Sequence, residues 1–169
     1  MTFTKYQFNN YCYWPSNPKK IIEFIGGSYL ASKPDLTYKR FIKSLIDKNY
    51  AVHAFKYTPQ FDHQELAMRA WKDFKSCQRS LSKRIGTSIP SIRIGHSLGC
   101  KLHLISPDGG RNCEKFISIS FNNFSAKRSI PFLKKISQKL EFKSEFSPSP
   151  ERTFGIIKKT YNQKNNFLI

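Results

Sequence analysis

Gly95-His96-Ser97-Leu98-Gly99 sets a serine between two glycines where an apolar run meets a helical one. In that spacing Ser97 reads as a nucleophile held at a sharp strand-to-helix turn, its hydroxyl free to attack an acyl carbon. A serine held there takes a strained backbone conformation, and side chains at Gly95 and Gly99 would crowd the turn. His96 is next to the nucleophile but directed elsewhere. The glycine–serine pattern alone is a weak signal, and its context strengthens it. Pro90 precedes the run, Ile92 and Ile94 alternate along it, and Leu98, Leu102 and Ile105 give a helical stripe after it. The expectation is a central strand over 92–94 buried on both faces, Ser97 at the turn, and a helix over 98–105.

Attack on an acyl carbon creates an oxyanion, which requires preorganised N–H donors. The expected pair is the N–H of Leu98 and that of Gly27 or Ser28, in the loop after an earlier strand. Read alone, Gly26-Gly27 is equally an ordinary strand-to-helix turn. A base is harder to find. Past Ser97 the sequence holds one histidine, His103, which six residues of helix carry down and away into a structural role. His53 lies within a strand. His63 follows a long loop that can bring it to the rim of the site, and it stands as the candidate base. The acids Asp108, Glu114, Glu141, Glu145 and Glu151 read as turn, cap and surface residues. A serine hydroxyl without a base is a poor nucleophile at neutral pH, so the site is half present.

The elements that must position these residues follow from periodicity. Residues 1–18 are aromatic and polar, an entry segment with a short edge strand that ends in a turn at Trp14-Pro15. Residues 20–25, 50–55, 92–94 and 115–120 read as strands, and 166–169 as the first residues of another. Pro34-Asp35 opens a helix with Tyr38, Phe41, Ile42, Leu45 and Ile46 on one face. Asp62 and Glu65 have the form of a capping box, in which Asp62 accepts from the backbone and Glu65 reaches back. The helix it starts keeps its period to Gly86. Further helices are expected from Ser129-Ile130-Pro131, carrying Leu133, Ile136 and Leu140, and from Ser149-Pro150. Such alternation implies a mostly parallel, doubly wound sheet with helices on both faces and its site at the strands' carboxyl ends.

A chain of 169 residues, 39% hydrophobic, suits a single α/β domain with a real core. It has no apolar run long enough for a membrane span, and no secretory leader is expected. The four scattered cysteines lack metal spacing and fit free thiols in the cytoplasm, and neither a metal nor a cofactor is expected. The net charge of +18 is dispersed, without a block of five or six basic residues. Its largest concentration is Lys127, Arg128, Lys134, Lys135 and Lys139. No RNA- or DNA-binding motif accompanies it, so no nucleic-acid partner is expected. The expected partner is a small-molecule substrate or ligand.

Phe24-Ile25-Gly26-Gly27, Thr37-Tyr38, Phe61-Asp62-His63, the elbow through His103, Ile119-Ser120-Phe121-Asn122-Asn123 and Glu145-Phe146-Ser147-Pro148-Ser149-Pro150-Glu151 carry a resemblance. From about Trp14 to the last residue, the chain resembles an uncharacterised α/β-hydrolase-like family of cyanobacteria and plastid-bearing organisms, domain of unknown function 1350. The resemblance implies a three-layer hydrolase-like fold without a known substrate. It also implies a longer protein, with a further strand, an acidic loop and a histidine-containing loop after Ile169, so that this fold is C-terminally incomplete. The triad of such folds runs serine, acid, histidine in chain order, which places the last two outside the chain. Two readings follow: a serine hydrolase of the esterase, lipase or thioesterase kind with an incomplete triad, or a non-catalytic hydrolase-like module that binds a ligand or partner.

Overall fold

Seven short segments with alternating or continuous apolar character pair into one sheet: β1 (Thr2–Gln7), β2 (Asn10–Pro15), β3 (Ile21–Ile25), β4 (Ala51–Phe55), β5 (Ser91–His96), β6 (Lys115–Ile119) and β7 (Asn166–Leu168). The computed structural model describes residues 2–130 and 145–169. The strand order is β1-β2-β4-β3-β5-β6-β7. The five strands from β4 through β7 in that order run parallel, while β2 is antiparallel to both of its neighbours. Among the described residues the α-helices are α1 (Pro34–Thr37), α2 (Lys39–Asp47), α3 (His63–Ile85), α4 (Leu98–Leu104), α5 (Ala126–Ser129) and α6 (Pro150–Thr160).

Strand alternation divides the core between two faces. Ile22, Phe24, Val52, Ala54 and Ile94 point to one face and bury Ile42 of α2. Ile25 and Phe55 point to the other and pack on Leu66, Ala70 and Phe74 of α3 and Leu102 of α4. Phe24 and Phe55 are fully buried, each worth about 1.5–3 kcal/mol of transfer from water. The result is the expected three-layer α/β architecture. β5 lies between β3 and β6, and the expected elbow strand and following helix are in place, with Ile92 half-buried where full burial was expected and the helix ending at Leu104.

Several local expectations are corrected. Residues 2–15 form two full strands, not an entry turn with one edge strand. Phe8 and Asn9 join them with φ of 46° and 50°, the backbone of a tight two-residue hairpin without the usual glycine. The helix expected over 34–46 is two helices. It breaks at Tyr38, φ −112° and ψ 19°, whose ring lies against Phe24. Asp62 does accept from the Glu65 N–H at 2.8 Å, but Glu65 does not complete the box; its carboxylate accepts from Gln60 Nε2. The helix expected to carry Leu133, Ile136 and Leu140 falls outside the described residues, as does Glu141. α5 ends before it.

The largest correction concerns Asp108. It sits in a turn as its neighbours suggest, yet it is buried and takes both Arg93 Nη groups at 2.8 Å. Arg93 Nε donates to Glu23 at 3.0 Å, and Gln78 Nε2 from α3 donates to the other Glu23 oxygen. The guanidinium, with Ser106 and the Gly110 N–H, holds the Asp108 carboxyl well below its usual range despite burial. For Glu23, burial outweighs its share of Arg93 and raises it. This network ties β5 to β3 and to the turn after α4, so it braces both flanks of the elbow.

Candidate active site

Ser97 has φ 52° and ψ −116°, a region that L-residues avoid, at the single residue separating β5 from α4. Its N–H donates to Ile119 O at 2.9 Å, which carries the β5–β6 ladder into the turn. Its carbonyl accepts from the Cys100 N–H and starts the helix. Packing explains the flanking glycines. A Cβ on Gly95 would lie 2.6 Å from the Cys100 backbone, and one on Gly99 would lie 2.0 Å from Ile25 O. α4 therefore rides directly on the end of β3. Gly99→Ala should destabilise the protein toward the upper end of the roughly 1–3 kcal/mol typical of overpacking. Thermal unfolding against wild type checks this; an unchanged midpoint would show that the contact relaxes freely.

The end of β3 adjoins Ser97. A Cβ on Gly27 would stand 3.4 Å from Ser97 Cβ and 3.0 Å from His96 Nδ1. The two amides offered as alternatives for the second oxyanion donor differ in availability. The Gly27 N–H donates to the Tyr38 hydroxyl at 2.9 Å, whereas those of Ser28 and Leu98 have no acceptor among the described residues. Tyr38 Oη also lies 2.8 Å from His96 Nδ1. All three groups are satisfied when the hydroxyl donates to Nδ1, which leaves the imidazole proton on Nε2. The residue that breaks the expected helix is thus the one that joins the Gly26-Gly27 loop to the elbow.

Ser97, Leu98, His96, Gly27 and Ser28 line one wall of a cavity of about 970 Å³, with Lys101, His63, Asn122, Phe124, Arg128 and Phe146 around the rest. Asn122 Nδ2 is 3.5 Å from Ser97 Oγ, a long contact from the loop after β6. Among the described residues no histidine is hydrogen-bonded to Ser97. His63 does reach the cavity wall, as the loop before it suggested. It is buried there with Nδ1 unpartnered, against the Phe146 ring at 4.3 Å. Burial, with Lys101 adding repulsion, lowers its pKa to about 3. That environment disfavours the imidazolium a general base must form. His103 lies under the sheet between Phe74 and Phe116, remote from this wall. The sequence assigns Tyr38, Lys101 and Asn122 no role at the site, although all three lie in the stretches that carry the family resemblance. Among the described residues no group of His, Cys, Asp and Glu side chains is placed to hold a metal.

Solved structures share this fold. The chain is similar to a mature lipase of Bacillus licheniformis, at TM-score 0.62 and 13% identity over 97% of this chain and 72% of that one. It is similar to the virulence factor BioJ of Francisella at TM-score 0.61 and 16% identity, over 99% of this chain and 63% of that one. A carboxyl esterase of Tuber melanosporum matches at TM-score 0.60 and 15% identity, over 93% of this chain and 59% of that one. The chain thus spans about three fifths to three quarters of these proteins' lengths. At such identities the likeness shows an α/β-hydrolase-like fold. No curated protein matches the sequence. A family model does match, over residues 6–169: the chain belongs to the DUF1350 family, proteins of unknown function.

Proposed function

We propose that the cavity beside Ser97 is an acyl-transfer site of the serine-hydrolase kind, taking the ester or thioester of a small molecule. Ser97 is the nucleophile, and the N–H groups of Leu98 and Ser28 receive the oxyanion. One observation carries this reading: the strained Ser97 backbone, set at the carboxyl end of a central strand and open to the cavity. Backbone strain of about 1–3 kcal/mol persists where the surrounding structure holds it, and such sites are often functional. Residues 1–169 act as one domain in this reading. The four free thiols and the fact that no described helix is long and apolar enough to cross a membrane support a cytoplasmic setting.

Turnover by these residues alone is expected to be slow. Ser97 Oγ meets an amide and no imidazole, and losing the base of a triad costs about 10⁴–10⁶-fold in rate. The same observation favours the second reading, a hydrolase-like module that binds its ligand without cleaving it. A fluorophosphonate probe separates the two. Slow labelling of the folded protein that Ser97→Ala abolishes supports the acyl-transfer site. Folded protein that takes no label at all supports the binding module instead.

A further inference from the structure

Among the described residues, two side chains on the cavity wall are buried without the full set of partners their chemistry requires. Lys101 is one helical turn beyond Ser97, about 6 Å along the axis, and only 2% exposed. Its Nζ donates to Pro148 O at 2.8 Å, and among the described residues no carboxylate lies within ion-pairing distance. Glu145 attracts it at longer range, but its Oε1 is taken by the N–H groups of Ala126 and Phe146. An ammonium has three donors and a full charge, and one carbonyl satisfies neither. His63 is likewise 2% exposed, with Nδ1 unpartnered. Both groups border the same ring, His63 at 4.3 Å and Lys101 Nζ at 5.6 Å from Phe146.

The rest of the lining has matching character. Among the described residues it contains no Asp or Glu, and its one other charged residue is Arg128, exposed and stacked over Phe124 at 3.9 Å. Tyr29, Leu30, Phe61 and Ile130 supply apolar wall. A neutral polar molecule can meet a buried donor but cannot neutralise the charge; an anion does both.

We infer that His63 and Lys101 form an anion subsite, and that the ligand of this cleft is apolar along its length with a single carboxylate or phosphate seated there. The inference rests on the cleft being the ligand site and assigns His63 to binding, not to the base. Burial lowers Lys101 to about 8, which leaves the ammonium as its main form at neutral pH. Arg128 at the exposed edge adds attraction that salt screens, while the buried pair is screened much less.

The test is equilibrium binding by the full chain to decanoate, decyl phosphate and decanol at 0.15 and 0.5 M salt. At least one anion should bind 10-fold or more tighter than decanol at both salt concentrations, and the ratio of the two anions identifies the head group. Lys101→Met should remove that preference by bringing anion affinity down toward that of decanol, with its folding checked by thermal unfolding. His63→Gln should reduce the preference several-fold and serves if the first variant does not fold. Equal affinity for anion and alcohol, a preference that vanishes at 0.5 M salt, or no binding of any of the three overturns the subsite. Anion preference in a protein whose Ser97 takes no fluorophosphonate would leave the subsite standing and remove the hydrolase reading.

Discussion

Replacing Arg93 by methionine should cost the folded protein about 3–5 kcal/mol at neutral pH, the loss expected when one partner of a buried ion network is removed. Glu23 and Asp108 are 1% and 6% exposed, and Arg93 is the cation that faces both. Without it, two carboxylates remain close together in a low-dielectric interior, and neither can reach water. Methionine keeps much of the stem's volume, so the loss reports charge more than packing. Chemical unfolding at pH 7 measures it. The variant's deficit should shrink below about pH 4, where protonation relieves both acids. Adding Glu23→Gln and Asp108→Asn to Arg93→Met should restore most of the stability, because a neutral cluster of similar shape carries no uncompensated charge. A single variant as stable as wild type would show that the network contributes nothing.

The effect should reach the site. Arg93 stands on β5 four residues before Ser97, and Asp108 lies in the turn just beyond α4. The network therefore clamps the strand entering the elbow to the segment leaving it. Loosening that clamp should slow fluorophosphonate labelling of Ser97 more than global unfolding explains, because the strained φ of 52° relaxes when its flanks can move.

The elbow was legible in the sequence because every local signal there agrees. Alternating isoleucines, paired glycines and a helical stripe all require the same turn, and close packing against Ile25 and Cys100 is the reason for those glycines. Tyr38 was not legible. Helical periodicity runs straight through it, and the break arises from a tertiary demand, its hydroxyl bridging Gly27 and His96. Asp108 shows a different failure. Ser106-Pro107-Asp108-Gly109-Gly110 is a turn by composition and in fact, but nothing local says that Arg93, fifteen residues earlier on a strand, points at it. Lys101 was hidden for a related reason. On a short amphipathic helix a lysine reads as the solvated side, whereas the 145–149 segment covers this one and leaves it a single carbonyl. The hairpin over 2–15 was obscured because Phe8-Asn9 is not a usual tight-turn pair.

Acid should unfold this protein through its histidines, with stability falling steeply as pH drops below about 6.5. Three of the four are buried, and burial lowers His53, His63 and His103 to about 3 from an ordinary 6.5. Between those values the unfolded chain binds protons that the folded one refuses, so stability is retained above 6.5 and lost as pH falls toward 3. The refusal has a structural basis. His53 Nε2 accepts from Trp14 Nε1 at 2.9 Å, and indole is only a donor, so a proton on Nε2 would set two N–H groups against each other. His103 sits between two phenylalanine rings, where an imidazolium finds no water. Three refused protons give a slope approaching about 4 kcal/mol per pH unit. Set against a typical stability of about 5–15 kcal/mol, that is enough to unfold the chain within a few units of neutrality. Glu23, raised by its burial, opposes the trend near its own titration, while Asp108 adds to it at lower pH. Denaturant midpoints at pH 7.0, 6.0, 5.5, 5.0 and 4.5 should therefore fall with increasing steepness. His103→Leu should reduce the slope by up to one proton's worth. A flat profile over that range, or a slope indifferent to His103→Leu, would mean that these imidazoles titrate in the folded protein and that its buried faces admit water.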